Sequence, residues 1–99
     1  MPLNRRKTDR IYPDSLVECM VEFKGNNFAG HVHDISFSGA ALDITADVNM
    51  GDSIYFTQKG RADGITANVV SNKNDRISLK FNEGQNSIIS KFIKSIKPE

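Results

Sequence analysis

The sequence has no tryptophan, two tyrosines, six phenylalanines, one cysteine and two histidines, and each shortage closes off a class of function. With aromatics at 8% of the chain, little is available to build the stacking platform that single-stranded nucleic acid requires. The lone Cys19 cannot close an internal disulfide, which fits a reducing cytoplasm, the expected location. It falls in an alternating apolar pattern and reads as a buried structural thiol. His31 and His33 stand two apart, where they can share a strand face, but give at most two ligands of a site that takes three or four. No further His or Cys completes the set, and no metal is expected. Neither histidine belongs to a hydrolase motif, and regular alternation sends His33 to the opposite face from Asp34, so no enzyme is expected. No apolar run approaches the ~20 residues of a spanning helix, and no apolar stretch follows the Arg-rich N-terminus. Neither a signal peptide nor a membrane-inserted segment is therefore expected.

What is present suits a single small domain. Ninety-nine residues, 38% hydrophobic and 25% charged, can bury one modest core. The net charge of +1 conceals an uneven distribution. Residues 1–10 carry Arg5, Arg6, Lys7 and Arg10 against Asp9, a balance of +3, while the remainder holds nine basic and eleven acidic side chains, a balance of −2. A compact positive segment on a faintly acidic body suits a small polyanion better than a long nucleic acid.

Residues 1–15 have no periodicity and contain Pro2 and Pro13, so they read as a flexible arm that becomes extended near Tyr12. From Leu16 to Phe23 the chain alternates, with Val17, Cys19, Val21 and Phe23 on one face. Lys24 to Asn27 forms a turn, and Phe28 to Ile35 returns as the second strand of a hairpin. Further strands are expected at Ala40–Ile44, Ser53–Gln58, Ile65–Ser71 and Arg76–Phe81. Between them lie polar turns at 59–64 and 72–75, and a loop at 46–52 whose Val48 and Met50 fold back onto the body. The period then changes. Ile88, Ile89, Phe92, Ile93 and Ile96 make one helical stripe, followed by Pro98. Several short strands between polar turns argue for an all-β sandwich or barrel, and the expectation is a small six-stranded antiparallel β-barrel with a C-terminal α-helix covering one open end. A stripe of that width also allows a surface for a partner or a dimer mate, and a monomer or weak dimer is expected.

The segment from His31 to Gly39 holds Asp34, Ser36 and Gly39 at the spacing D-x-S-x-x-G. It reads as an exposed turn ending a strand. Asp and Ser there can bond their own backbone, while Gly permits a positive φ or a close backbone approach. The same groups can equally face a ligand. Upstream, Arg6 and Arg10 form R-x-x-x-R, at most about 13–14 Å apart if extended. Guanidinium groups fork onto phosphate oxygens or a guanine O6/N7 edge and stack on bases. An ionised Asp accepts from guanine N1–H and N2 amino donors, and a Ser hydroxyl bonds a phosphate or base oxygen.

R-x-x-x-R followed by D-x-S-x-x-G resembles the PilZ domain family of bacterial cyclic di-GMP receptors, and the resemblance covers nearly the whole chain. It implies that Arg6 and Arg10 hold phosphate and guanine while Asp34 and Ser36 read a guanine. It also implies that Gly39 lets the turn lie close under the base and that Arg5 is an accessory contact. The ligand implied is cyclic di-GMP; no other cofactor is. With no fused output domain in the chain, the effector is expected to be a separate protein of the motility, polysaccharide or adhesion machinery. A fold that kept only protein interaction, with weak or no nucleotide binding, is the alternative. A nucleic-acid partner is disfavoured by the Asp34 carboxylate, which repels a phosphate backbone. Asp9, between the motif arginines, is expected to pair with one of them in the free state. The tryptophan that many relatives carry near Val69-Val70 is absent.

Overall fold

The computed structural model describes residues 10–96. Arg5, Arg6 and Asp9, with the rest of the expected arm up to residue 9, and Pro98 after the helix, lie outside the described residues. The elements are β1 (Glu18–Phe23), β2 (Asn26–Ile35), β3 (Gly39–Asp43), β4 (Ser53–Gln58), β5 (Gly64–Lys73), β6 (Arg76–Phe81) and α1 (Asn86–Ile96). All paired strands are antiparallel, and the order β1-β2-β3-β6-β5-β4 closes through the β1–β4 pair. This is the expected six-stranded barrel with a C-terminal helix; alternation and the change of period predict its strands and helix, and the closed pairing decides for a barrel over a sandwich.

Alternation places the core. Cys19 and Val21 of β1, Ile54 and Phe56 of β4, Ile65, Ala67 and Val69 of β5, and Ile77 and Leu79 of β6 all turn inward and are buried. Helix α1 lays Ile89, Phe92, Ile93 and Ile96 onto this interior. The Phe92 ring stands 4.9 Å from that of Phe56, which stacks in turn at 6.3 Å on Phe81. Gln85, just before the helix, fastens it to β5. Its amide nitrogen donates to Thr66 O at 2.9 Å, and its Oε1 accepts from Thr66 N–H at 2.8 Å. The helix thus covers the barrel, as its stripe predicts, and no described helix is long and apolar enough to cross a membrane.

Several boundaries differ from those expected. The first strand begins at Glu18, not Leu16, whose side chain is exposed. Two turns are tighter than expected. Lys24-Gly25, with φ of 51° and 82°, and Asn74-Asp75, with 54° and 61°, are two-residue connections of the kind whose twist matches the flanking strands. Phe23 consequently pairs with Asn26 and Lys73 with Arg76, so β2 and β5 are longer than polar composition suggests. In the 46–52 loop Val48 is buried as expected, but Met50 is exposed. Asn72 holds this loop, donating to Val48 O at 2.9 Å and Ala46 O at 3.2 Å, and backbone bonds tie Gly51 and Asp52 to Val69. Those bonds fix the loop through its backbone, with Val48 turned inward and Met50 to solvent.

Candidate functional site

The site is built where the segment entering the barrel meets the end of β2. Ile11 forms a two-way backbone bridge with Ile35, its N–H donating to Ile35 O at 2.8 Å and its carbonyl accepting from Ile35 N–H at 3.1 Å. Successive side chains of an extended segment project to opposite sides, so the neighbours Arg10 and Tyr12 share one. Arg10 Nη1 donates to Asp34 Oδ1 in a salt bridge. Tyr12 sets its ring edge-on to His33, with centroids 5.7 Å apart and planes at 84°.

Asp34 and His33 meet because β2 is bulged. Val32 pairs with Leu42 and Asp34 with Ala41, so His33 is an extra residue with no partner on β3. In a regular strand the two side chains would point to opposite faces. Here His33 Nδ1 donates to Asp34 Oδ2 at 2.8 Å, which corrects the expectation that they diverge. His31 lies in register between Glu18 and Asp43, on the regular part of the strand. The Asp34 side chain is only 8% exposed, against 45% for Arg10 and 34% for His33. A carboxylate so far out of water is tolerated because each oxygen has a charged or polar partner.

The turn that follows is not exposed as a whole. Ser36 is 1% exposed and Gly39 is buried, while Phe37 and Ser38 face solvent. Ser36 N–H donates to Gly39 O at 2.8 Å, and Ser36 Oγ accepts from Ser38 N–H at 3.2 Å, lies 3.1 Å from Ser38 Oγ and donates to Gly39 O at 3.4 Å. The burial corrects the exposed turn read from polar composition. Ser36 draws the chain over itself, closing the connection between β2 and β3. Gly39 serves close approach rather than positive φ. A Cβ there would stand 2.1 Å from Leu79 O on the neighbouring strand β6.

Of the residues expected to form a site, Arg10, Asp34, Ser36 and Gly39 fall at one end of β2 and the adjoining turn, and Arg5 and Arg6 lie outside the described residues. Arg10 takes Asp34 as partner; Asp9 is not among the described residues. Two residues went unassigned from the sequence, His33 and Tyr12. A trace of the bulge was available, since Val32 and Ile35 are both apolar but three apart, an odd spacing that strict alternation cannot bury twice.

Elsewhere, burial and, secondarily, the charge of Asp43 push the Cys19 thiol up to about 12, as befits a core residue. On the outer surface, Lys59 beside Glu18 lowers the carboxyl, and Glu18 raises the lysine in return.

A search of solved structures matches the chain to a crystal structure of the PilZ domain of CeSA from a cellulose-synthesizing bacterium. The TM-score is 0.69 with 18% sequence identity, over 89% of this chain and 94% of that one, a likeness of fold. No curated protein matches the chain. A family model, the PilZ domain, matches residues 4–96, which take in both the arginine segment and the Asp-x-Ser-x-x-Gly turn. With the barrel, its helix and that match in agreement, the chain belongs to the PilZ domain family, a family of cyclic di-GMP receptors.

Proposed function

We propose that this chain is a cyclic di-GMP receptor and adaptor, a binding protein rather than an enzyme, that holds its ligand between the arginine segment and the turn after β2. Residues 1–15 act as the arm bearing R-x-x-x-R, and residues 16–99 as the barrel with its helix. The observation that carries the reading is the meeting of Arg10 and Asp34, groups of opposite charge brought together from 24 positions apart at the barrel edge. They complement the two chemical features of the ligand. A guanidinium has five N–H donors, of which one is engaged with Asp34, so phosphate oxygens or a guanine O6/N7 edge can take others. The carboxylate accepts from guanine N1–H and N2 amino donors. Arg6, with Arg5 as an accessory, supplies the second guanidinium. Ser36 contributes through the turn it holds, and Gly39 by letting that turn lie close to the barrel. The signal then passes to a separate protein of the motility, polysaccharide or adhesion machinery, with the receptor acting in the cytoplasm as a monomer or weak dimer.

The Arg10–Asp34 pair also favours a second reading. Because each group already holds one partner, the ligand has only their remaining donors and lone pairs, and a chain in which these do not suffice would serve as an interaction module with weak or no nucleotide binding. Titration calorimetry with cyclic di-GMP, GTP and a short single-stranded oligonucleotide separates these readings. The receptor takes up cyclic di-GMP with saturable heat and neither of the others comparably. No heat from any of the three favours the interaction module, and preference for the oligonucleotide overturns both.

A further inference from the structure

We infer that His33 is a positioning residue for the ligand-reading carboxylate, holding Asp34 in the orientation that accepts a guanine. The inference rests on the receptor reading and adds to it a residue outside the two arginine and aspartate-serine-glycine motifs.

The chain of contacts is continuous. An ionised carboxylate has no proton to give, so the 2.8 Å contact requires that Nδ1 of His33 carry the hydrogen. That places one donor on Oδ2 while Arg10 places another on Oδ1. The final torsion of an aspartate is broad and poorly defined by itself. One anchor leaves the carboxylate plane free to turn, and two anchors on different oxygens fix it. A carboxylate offers about four lone-pair sites, so two remain for the paired N1–H and N2 donors of a guanine edge.

His33 is itself held. The bulge at Val32/Asp34 turns it towards Asp34, and Tyr12 braces the imidazole edge-on. Tyr12 and Arg10 flank Ile11, whose two backbone bonds to Ile35 pin the segment. One short stretch therefore delivers the Arg10 cation to Oδ1 and steadies the ring that serves Oδ2.

The test is calorimetric titration of the full chain with cyclic di-GMP and cyclic di-AMP, for wild type, His33→Ala and His33→Asn, with thermal unfolding of each. The asparagine amide nitrogen occupies the position of Nδ1 and can donate in its place. His33→Ala is expected to weaken cyclic di-GMP about tenfold, equivalent to about 1.4 kcal/mol. It should hardly change cyclic di-AMP, whose base lacks the donor pair, so selectivity falls by a similar factor. His33→Asn should restore most of both affinity and selectivity at an unchanged melting temperature. An alanine variant that keeps wild-type affinity and selectivity overturns the inference. So does one that weakens both ligands alike, melts lower and is not rescued by asparagine, which would make His33 a support of the fold. If wild type itself takes up no cyclic di-GMP, the receptor reading fails and the inference falls with it, an outcome distinct from an inert substitution in a protein that binds.

Discussion

The Arg10 guanidinium engages one oxygen of the Asp34 carboxylate although 24 positions separate the two in the chain. The partners differ in their surroundings, since the Arg10 side chain is nearly half exposed and that of Asp34 almost wholly buried. Removing the arginine therefore leaves a largely buried carboxylate with the His33 contact alone, a heavier loss than that of an exposed ion pair.

Arg10→Ala is expected to lower both stability and ligand affinity, the latter by about 1.5–3 kcal/mol for a charge-assisted contact. Arg10→Lys should recover part of the affinity, since the charge returns but not the fork. Arg6→Ala should cost affinity on the same scale. Calorimetry beside thermal unfolding checks this, and full affinity in either alanine variant would contradict the assigned roles.

The turn makes a separate forecast. Gly39→Ala forces a methyl into the 2.1 Å separation from Leu79 O, so β3 and β6 must part. The expected loss is at least about 1–3 kcal/mol, the usual range for overpacking. Ser36→Ala removes the acceptor of Ser38 N–H and should cost about 0.5–1.5 kcal/mol. Denaturant titration measures both, and a Gly39→Ala variant as stable as wild type would show that the strands are not in contact there.

Much of this architecture was legible in the sequence because it depends on side-chain period. Ser53–Gln58 and Arg76–Phe81 are strands with the expected bounds, and the stripe from Ile88 to Ile96 is the buried face of α1. The two-residue turns were less legible, because positive φ at Lys24 and Asn74 is a backbone property that residue type only suggests. Motif spacing pointed to Arg10 and Asp34, yet not to the burial of Asp34 and Ser36, since both polar types read as surface. The His33 contact depends on the register of β2 against β3, fixed by pairing across the barrel and only faintly marked by the odd spacing of Val32 and Ile35.

Phe92→Ala should remove the helix's main hold on the barrel. The ring is 2% exposed and packs on Phe56, so about 3–5 kcal/mol of stability is expected to go. A loss below about 1 kcal/mol in denaturant titration would mean that the helix is not integral to the core.

Cys19 gives a pH dependence. Its folded value of about 12 lies above the ordinary 9.0, so the folded protein keeps a proton that the unfolded chain gives up. The associated stability is complete below about pH 9 and is lost as pH rises towards 12. Cys19→Ala should flatten this alkaline decline. In the native protein at pH 8 the thiol should resist alkylation until denaturant is added, and rapid labelling without denaturant would contradict its burial.

The most direct measurement of the central claim, that Asp34 reads a guanine beside Arg10, is the affinity of Asp34→Ala for cyclic di-GMP and cyclic di-AMP, with its melting temperature. Loss of the carboxylate leaves the guanine N1–H and N2 donors unpaired but spares arginine contacts to phosphate, and a site built to pair a polar group discriminates strongly against its absence. The predicted result is a large loss for cyclic di-GMP with a much smaller one for cyclic di-AMP. Equal losses for both ligands, accompanied by a lower melting temperature, would contradict it and leave Asp34 as the anchor of Arg10 and His33 alone.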